Sequence, residues 1–401
     1  MLTMIHSNRA TIEDGLFKVD RKFHVGMRQF VAGIHSPVLT IHPERLPGEL
    51  TMDLIEVPCK ELGYDVMTLR TDRKLRPTAP DRQRLSDAIA RSKLICGGDM
   101  GGADLAFRLG VPCILVREYD LQTQIVTTTS QVTNLARRGI RVIKSTLNYL
   151  CDMRNMRRAH AIHCNGYPIY EATRRLNSNR LLYLDSRMPS ENVISEEQLL
   201  RRLAIRAGRP LRLLYSGRYE PMKGSDHAVR VGLACLARGL DVEMHCYGQG
   251  RLHEEMKRLA AQERLPGRIV VHPAVPFPEL VEISRTFDMF VCCHMQGDPS
   301  CTYLESFGAG LPIVGYGNRM WRALSEASAA GRWSPMREPE AVADTIQAIA
   351  SDSGLLDAMS VRAREFALAH AFELEFKLRI DAINAALGTP SVNADAARES
   401  H

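Results

Sequence analysis

The chain has 401 residues, 45% hydrophobic and 24% charged, with a formal net charge of +6. This is the profile of a soluble globular protein of two or three ordinary domains, with cores large enough to need no disulfide or metal staple. The ten cysteines follow no CxxC or similar ligand spacing. Most sit in apolar runs such as EMHCYG and MFVCCH, which argues for a reducing compartment and against a zinc site. No run of about 18 apolar residues exists to span a membrane. The opening stretch MLTMIHSNRATIEDG lacks the basic and apolar regions of a signal peptide, so the expected location is the cytoplasm.

In the first half, MLTMIHS (1–7), SPVLTIHP (36–43), DVMTLRT (65–71), KLICGG (93–98), VPCILVREY (111–119), RRAHAIHCNG (157–166) and RLLYLDSR (180–187) read as strands. Residues 137–158 carry seven basic residues and one acid. They read either as a solvated helix face or as a surface drawn to anionic lipid or an acidic acceptor, which would place the protein peripherally on the cytoplasmic side of a membrane. Without aromatic interleaving or a known module, nucleic acid is a poor partner. A polar helical stretch, 195–210, separates the halves, with the boundary at 200/201.

The second half alternates more legibly. Strands at 211–217, 241–248, 268–275, 288–294 and 312–317 are separated by helices at 225–239, 252–263, 277–287 and 302–310, the pattern of a parallel sheet covered on both faces. Residues 362–387 read as one long helix, and 388–401 as a small, polar tail. The fold class is α/β, and ligands of such a sheet bind where strands end and helices begin.

Every candidate of the second domain falls on such a loop. GRYEPMKG (217–224) follows the first strand, YGQGR (247–251) the second, and MQGDPSCTYLES (295–306) precedes a helix. Arg218 and Lys223 repel one another unless an anion lies between them. A diphosphate at a helix start would satisfy both.

These segments resemble the donor-binding domain of retaining GT-B glycosyltransferases. Gly217-Arg218 and Lys223-Gly224 match the family's G-R-x-x-x-x-K-G. LESFGAGLPIVGYGN (304–318) matches its E-A-x-x-x-G-x-P-V-V segment, and MREPEAVADTIQAI (336–349) its D-P-e-x-l-A-x-x-I stretch. The resemblance covers 211–387. It implies two Rossmann-like domains facing a cleft: an acceptor domain at 1–200, a donor domain at 201–370, and a helix, 371–387, crossing back to the first domain. It implies transfer of a sugar from a UDP- or GDP-sugar to a saccharide or lipid-linked saccharide acceptor, in bacterial surface polysaccharide or glycolipid synthesis.

By the same resemblance, Arg218 and Lys223 hold the diphosphate and Glu305 the ribose, while Gly217, Gly248, Gly250, Ser300, Cys301 and Thr302 line the donor site. Gly297 stands where the family has its first glutamate, eight positions before Glu305. Asp298 is the nearest acid, and serves sugar recognition or caps the following helix. Gly15, in EDGLFKVDRKFHVG (13–26), matches a glycine-rich loop facing the phosphates, with Lys22 and His24 as acceptor contacts. Glu118, or Tyr119, stands where the family often has a histidine. LDSR (184–187) reads as a structural turn. No DxD motif is present, so neither a metal nor another cofactor is expected. A nucleotide-sugar 2-epimerase of the same fold, or a non-catalytic nucleotide-sugar-binding protein, is the alternative.

Overall fold

The computed structural model describes residues 1–46, 54–130, 132–263 and 266–388. The apolar runs of the first half assemble into one seven-stranded parallel sheet. Its order is Arg180–Tyr183, Ala161–Asn165, Cys113–Arg117, Leu94–Gly97, Leu2–Ile5, Val38–Pro43 and Asp65–Leu69. Leu2–Ile5, Leu94–Gly97 and Ala161–Asn165 are buried at every residue, as strands covered on both faces must be. The second half forms a six-stranded parallel sheet: Ile269–His272, Val242–Tyr247, Leu211–Ser216, Met289–Cys292, Ile313–Tyr316 and Gly331–Ser334. Strand order reverses between Leu211–Ser216 and Met289–Cys292, and in the first sheet between Leu2–Ile5 and Leu94–Gly97. Crevices for ligands open at such reversals.

Three local features differ from the sequence-based expectation. The segment around Gly15 is a β-hairpin, Thr11–Glu13 paired with Leu16–Asp20, extended by Leu54–Pro58 into a small antiparallel sheet. Asp14 and Gly15 hold φ of 49° and 74°, so they are the two central residues of a tight turn that favours Asp-Gly. An edge strand, Gly331–Ser334, went unanticipated because its residues are mostly exposed and carry no apolar run. The single helix expected over 362–387 is two, Ser353–Ala369 and Phe372–Leu387. His370 and Ala371 turn the chain between them, and His370 Nδ1 meets Glu375 Oε1 at 2.6 Å.

The boundary expected at 200/201 falls inside the helix Glu196–Ala204. That helix belongs with the second domain: Arg202 is buried and donates to the carbonyls of Ala309 (2.7 Å) and Gly310 (2.6 Å). The hand-over therefore lies earlier, after Tyr183. Phe372–Leu387 crosses back to the first domain and packs on the helix Arg21–Gly33. A methyl at Gly26 would stand 2.9 Å from the Phe376 ring, and one at Gly33 2.8 Å from Ile380, so absent side chains permit the close approach. Asn384 seals it, donating to the Gly33 carbonyl at 2.8 Å. Of the tail, Gly388 caps this helix; residues 389–401 lie outside the described residues.

Several buried histidines make the fold acid-sensitive. Burial pushes His42 down to about 4, and His163 and His294 to about 3, so these rings stay neutral in the fold. Both ring nitrogens of His163 are buried without a hydrogen-bond partner. Unfolded histidine takes up a proton near pH 6.5. Between that value and the folded one the unfolded state binds more protons, so stability is complete above pH 6.5 and falls as pH drops, by about 1.4 kcal/mol per pH unit for each such ring. His163→Leu is expected to flatten the decline in melting temperature between pH 7 and 5. An unchanged slope would mean that His163 is protonated in the fold.

Candidate active site at the seam between the domains

Lys223 and Asp298 lie on the loops that follow the two strands flanking the second sheet's reversal. The turn 217–224 is drawn against 292–298, where the Met295 amide donates to the Met222 carbonyl at 3.0 Å. Lys223 is thereby buried, and its Nζ donates to Asp298 Oδ2 at 2.8 Å. Burial works to raise the Asp298 carboxyl, but the Lys223 ammonium, together with His294 and the Gln296 side chain, outweighs it and holds the group below the usual carboxylate range. The other oxygen, Oδ1, is buried without a hydrogen-bond donor, as are Nδ1 of the adjacent His294 and Oγ of Ser225. Each unpaired buried polar atom calls for an explanation, and three of them gather here beside the paired cation.

The two cations expected to share one diphosphate therefore have different surroundings. Arg218 is exposed, whereas Lys223 is paired inside. Lys223 therefore matters for stability, because removing it strands a buried carboxylate. Tyr219, fully buried, pins the turn between them, its single hydroxyl proton shared between the carbonyls of Cys246 and His272, each 2.7 Å away. Gly217, Gly248 and Gly250 interlock beneath it. A methyl at Gly248 would meet the Gly217 carbonyl oxygen at 1.9 Å, and one at Gly250 the Tyr219 carbonyl oxygen at 2.5 Å. Their smallness serves loop-on-loop packing.

Loops from both sheets meet across the seam. Lys22 Nζ donates to Asp185 Oδ2 at 2.5 Å and lies 3.2 Å from Cys301 Sγ, which is 3.3 Å from the same carboxylate oxygen. Burial opposes the Lys22 charge, but Asp185 and Cys301 raise its pKa regardless; burial and Asp185 push the Cys301 thiol up. Asn165 links Asp185 to Glu118: its side chain accepts from the Asp185 amide at 3.1 Å and donates to Glu118 Oε1 at 3.4 Å. Burial, then Asp185, raise the Glu118 carboxyl above its ordinary value, and burial with Glu118 and Asp298 raises Tyr119 to about 12.

Glu305 is held by Arg187 at 2.7 Å, and the guanidinium stacks on Phe277 at 4.4 Å. Ser300 Oγ and Thr302 Oγ1, 3.1 Å apart, flank Cys301 at the start of the helix Thr302–Gly308. Arg319 pairs with Asp120, and Thr123 donates to the Gly297 carbonyl at 3.4 Å. Gly297 thus packs against the first domain, where a side chain at this position would meet Thr123 and Arg319.

Lys22, Glu118, Asp298, Cys301 and Glu305 come together at the seam. Two expected residues do not join them. Gly15 forms the hairpin tip, where a methyl would meet nothing within 4 Å. His24 lies two positions beyond Lys22, about 200° round the helix, and the nearest charge acting on it is Arg28, which with burial lowers its pKa. Sequence reasoning missed Asp185 and Arg187, taken as part of a structural turn, and the Asp120–Arg319 pair. Each follows a parallel strand, the rule that found the others.

The Lys223–Asp298 pair is testable by denaturation. Lys223→Ala and Asp298→Asn are each expected to cost about 3–5 kcal/mol, the cost of an uncompensated buried charge or its lost partner, and the apolar pair Lys223→Met with Asp298→Leu to recover most of it. Additive losses would mean that the two charges are uncoupled.

Residues 198–366 match the profile of the family described as glycosyl transferases group 1. Among proteins of curated function, none matches the chain. Solved structures of similar fold include Anabaena HepE in complex with UDP and glucose, at 10% identity over 96% of this chain and 99% of that one, with a TM-score of 0.64. Sucrose-phosphate synthase from Thermosynechococcus elongatus is 15% identical over 96% and 98%, with a TM-score of 0.63. WaaG, a glycosyltransferase involved in lipopolysaccharide biosynthesis, is 12% identical over 96% and 99%, with a TM-score of 0.58. Two facing parallel-sheet domains give the chain the fold of these glycosyltransferases, and its second domain carries the match to glycosyl transferases group 1.

Proposed function

We propose that the protein moves a hexosyl group from a UDP- or GDP-sugar to a saccharide or lipid-linked saccharide hydroxyl, with retention of configuration, in surface polysaccharide or glycolipid synthesis. The observation that carries this reading is the buried Lys223–Asp298 pair at the strand-order reversal, with exposed Arg218 at its mouth. HepE, bound to UDP and glucose in its own structure, supports UDP as the first nucleotide to try.

The leaving diphosphate gains negative charge as the glycosidic bond breaks. Arg218 and Lys223 are the cations on its side of the cleft, and stabilisation by groups fixed before reaction is the largest catalytic contribution such a site makes. Asp298 keeps Lys223 in place, and its unpaired Oδ1 accepts from a hydroxyl of the sugar. Glu305, fixed by Arg187, accepts from the ribose. Glu118, raised by burial and Asp185, sits on the acceptor side with Lys22. No DxD motif supplies a metal-binding pair, so transfer is proposed to need no divalent ion.

Arg218 is the cleaner probe than Lys223, because an exposed side chain contributes little to folding. Arg218→Ala is expected to melt like the parent while losing about a hundred- to a thousandfold in turnover. The assay follows nucleotide diphosphate release from UDP-glucose, UDP-N-acetylglucosamine and GDP-mannose, with and without chelator, and reads the product anomer by NMR. Loss of activity in chelator with recovery in manganese would overturn the metal-free reading. Binding without turnover of any donor would favour a sensor, and acceptor-independent interconversion of two sugars an epimerase.

A further inference from the structure

The helix Leu135–Arg158 has two apolar faces. Ser145, Tyr149 and Met156 are buried inward, where Ser145 Oγ meets Thr128 Oγ1 of the helix Leu121–Thr129 at 3.1 Å. About 200° away, Ile140, Ile143, Leu147 and Leu150 form a second stripe at three- and four-residue spacing, 65%, 62%, 57% and 55% exposed. With Leu135 they make five of the fifteen exposed large hydrophobics among the described residues. Such clustering on one outer face is unusual for a surface with no partner.

The charges around the stripe say what covers it. Arg137 and Lys144 run along one edge, and Arg154 and Arg157 gather at its C-terminal end, all exposed. The helix's only acid, Asp152, points inward, where Arg117 holds it at 2.6 Å. Arg154 also meets Asp104 of the neighbouring helix Gly102–Leu109, at 3.7 Å. A second copy laid on this face would bring the same cations against themselves. An anionic bilayer would neutralise them and take the apolar side chains below its headgroups.

We infer that Leu135–Arg158 lies in the plane of an anionic membrane surface, its Ile140–Leu150 stripe inserted and its arginines and lysine on acidic headgroups, as amphipathic interfacial helices do. Among the described residues no helix is long and apolar enough to cross a membrane, so this contact is peripheral. The supporting helix Leu121–Thr129 begins at Asp120, the residue paired with Arg319 across the seam. Docking therefore sets the catalytic cleft beside the lipid surface. The inference does not rest on the identity of donor or acceptor.

Cosedimentation of the full chain with vesicles of phosphatidylglycerol and phosphatidylcholine, against phosphatidylcholine alone, tests it. Binding is expected only to the anionic vesicles and weakens with salt. The triple variant Arg137→Glu, Lys144→Glu, Arg157→Glu is expected to lose at least about fivefold in partitioning per position. Leu147→Glu is expected to lose binding with the positive charges intact, and donor hydrolysis by both variants to stay at the parent rate. Absent binding, or binding indifferent to both variants, would overturn the inference. A lipid-free dimer by sedimentation velocity that Leu147→Glu dissolves would overturn it in favour of self-association.

Discussion

Lys223 and Asp298 meet 2.8 Å apart in a place almost closed to water. Each alone would be costly to bury, and together they are tolerable only because the geometry is close. That requirement constrains a great deal around them. The turn 217–224 must press against 292–298, which calls for the anchoring hydroxyl of Tyr219 and for glycines where backbones nearly touch. The pair also sets the polarity of the pocket. A paired lysine contributes a directed donor and little net charge, leaving Arg218 as the open cation at the mouth.

The second constraint is the chain's return. Phe372–Leu387 leaves the second domain and packs on Arg21–Gly33, so Lys22 and the residues it meets at Asp185 and Cys301 are held in register from both ends of the chain. Glu375 adds to this by accepting from the Leu184 amide at 2.9 Å, one residue before Asp185. The linker that carries Asp185 and Arg187 is thus fixed by the same helix that ties the domains together. Opening the cleft would have to part Arg319 from the buried carboxylate of Asp120 and Thr123 from the Gly297 carbonyl. Closure around substrates and release of products are compatible with such a seam.

Much of the site was legible because a parallel α/β sheet confines chemistry to loops after strands. That rule points to Arg218, Lys223 and Asp298, while Glu305 follows from the family resemblance. That rule does not reach Gly15, where Asp14-Gly15 between Glu13 and Leu16 signals a hairpin. It was applied too narrowly at LDSR, which follows a strand as surely as GRYEPMKG does. The apolar stripe of Leu135–Arg158 was hidden for another reason: its residues keep helical spacing on two faces at once, and sequence alone does not say which one the core takes.

The sequence by itself determined the alternation of buried strands and amphipathic helices, the two sheets and the cationic loops at their edges, because burial and periodicity are local properties. Tertiary structure decided which charges meet. Lys223 and Asp298 are 75 positions apart, and Lys22 and Asp185 are 163. Nothing local distinguishes a lysine that will point into water from one that will be buried against a distant carboxylate. The choice depends on how closely two loops are drawn together, which is settled by packing across the whole domain.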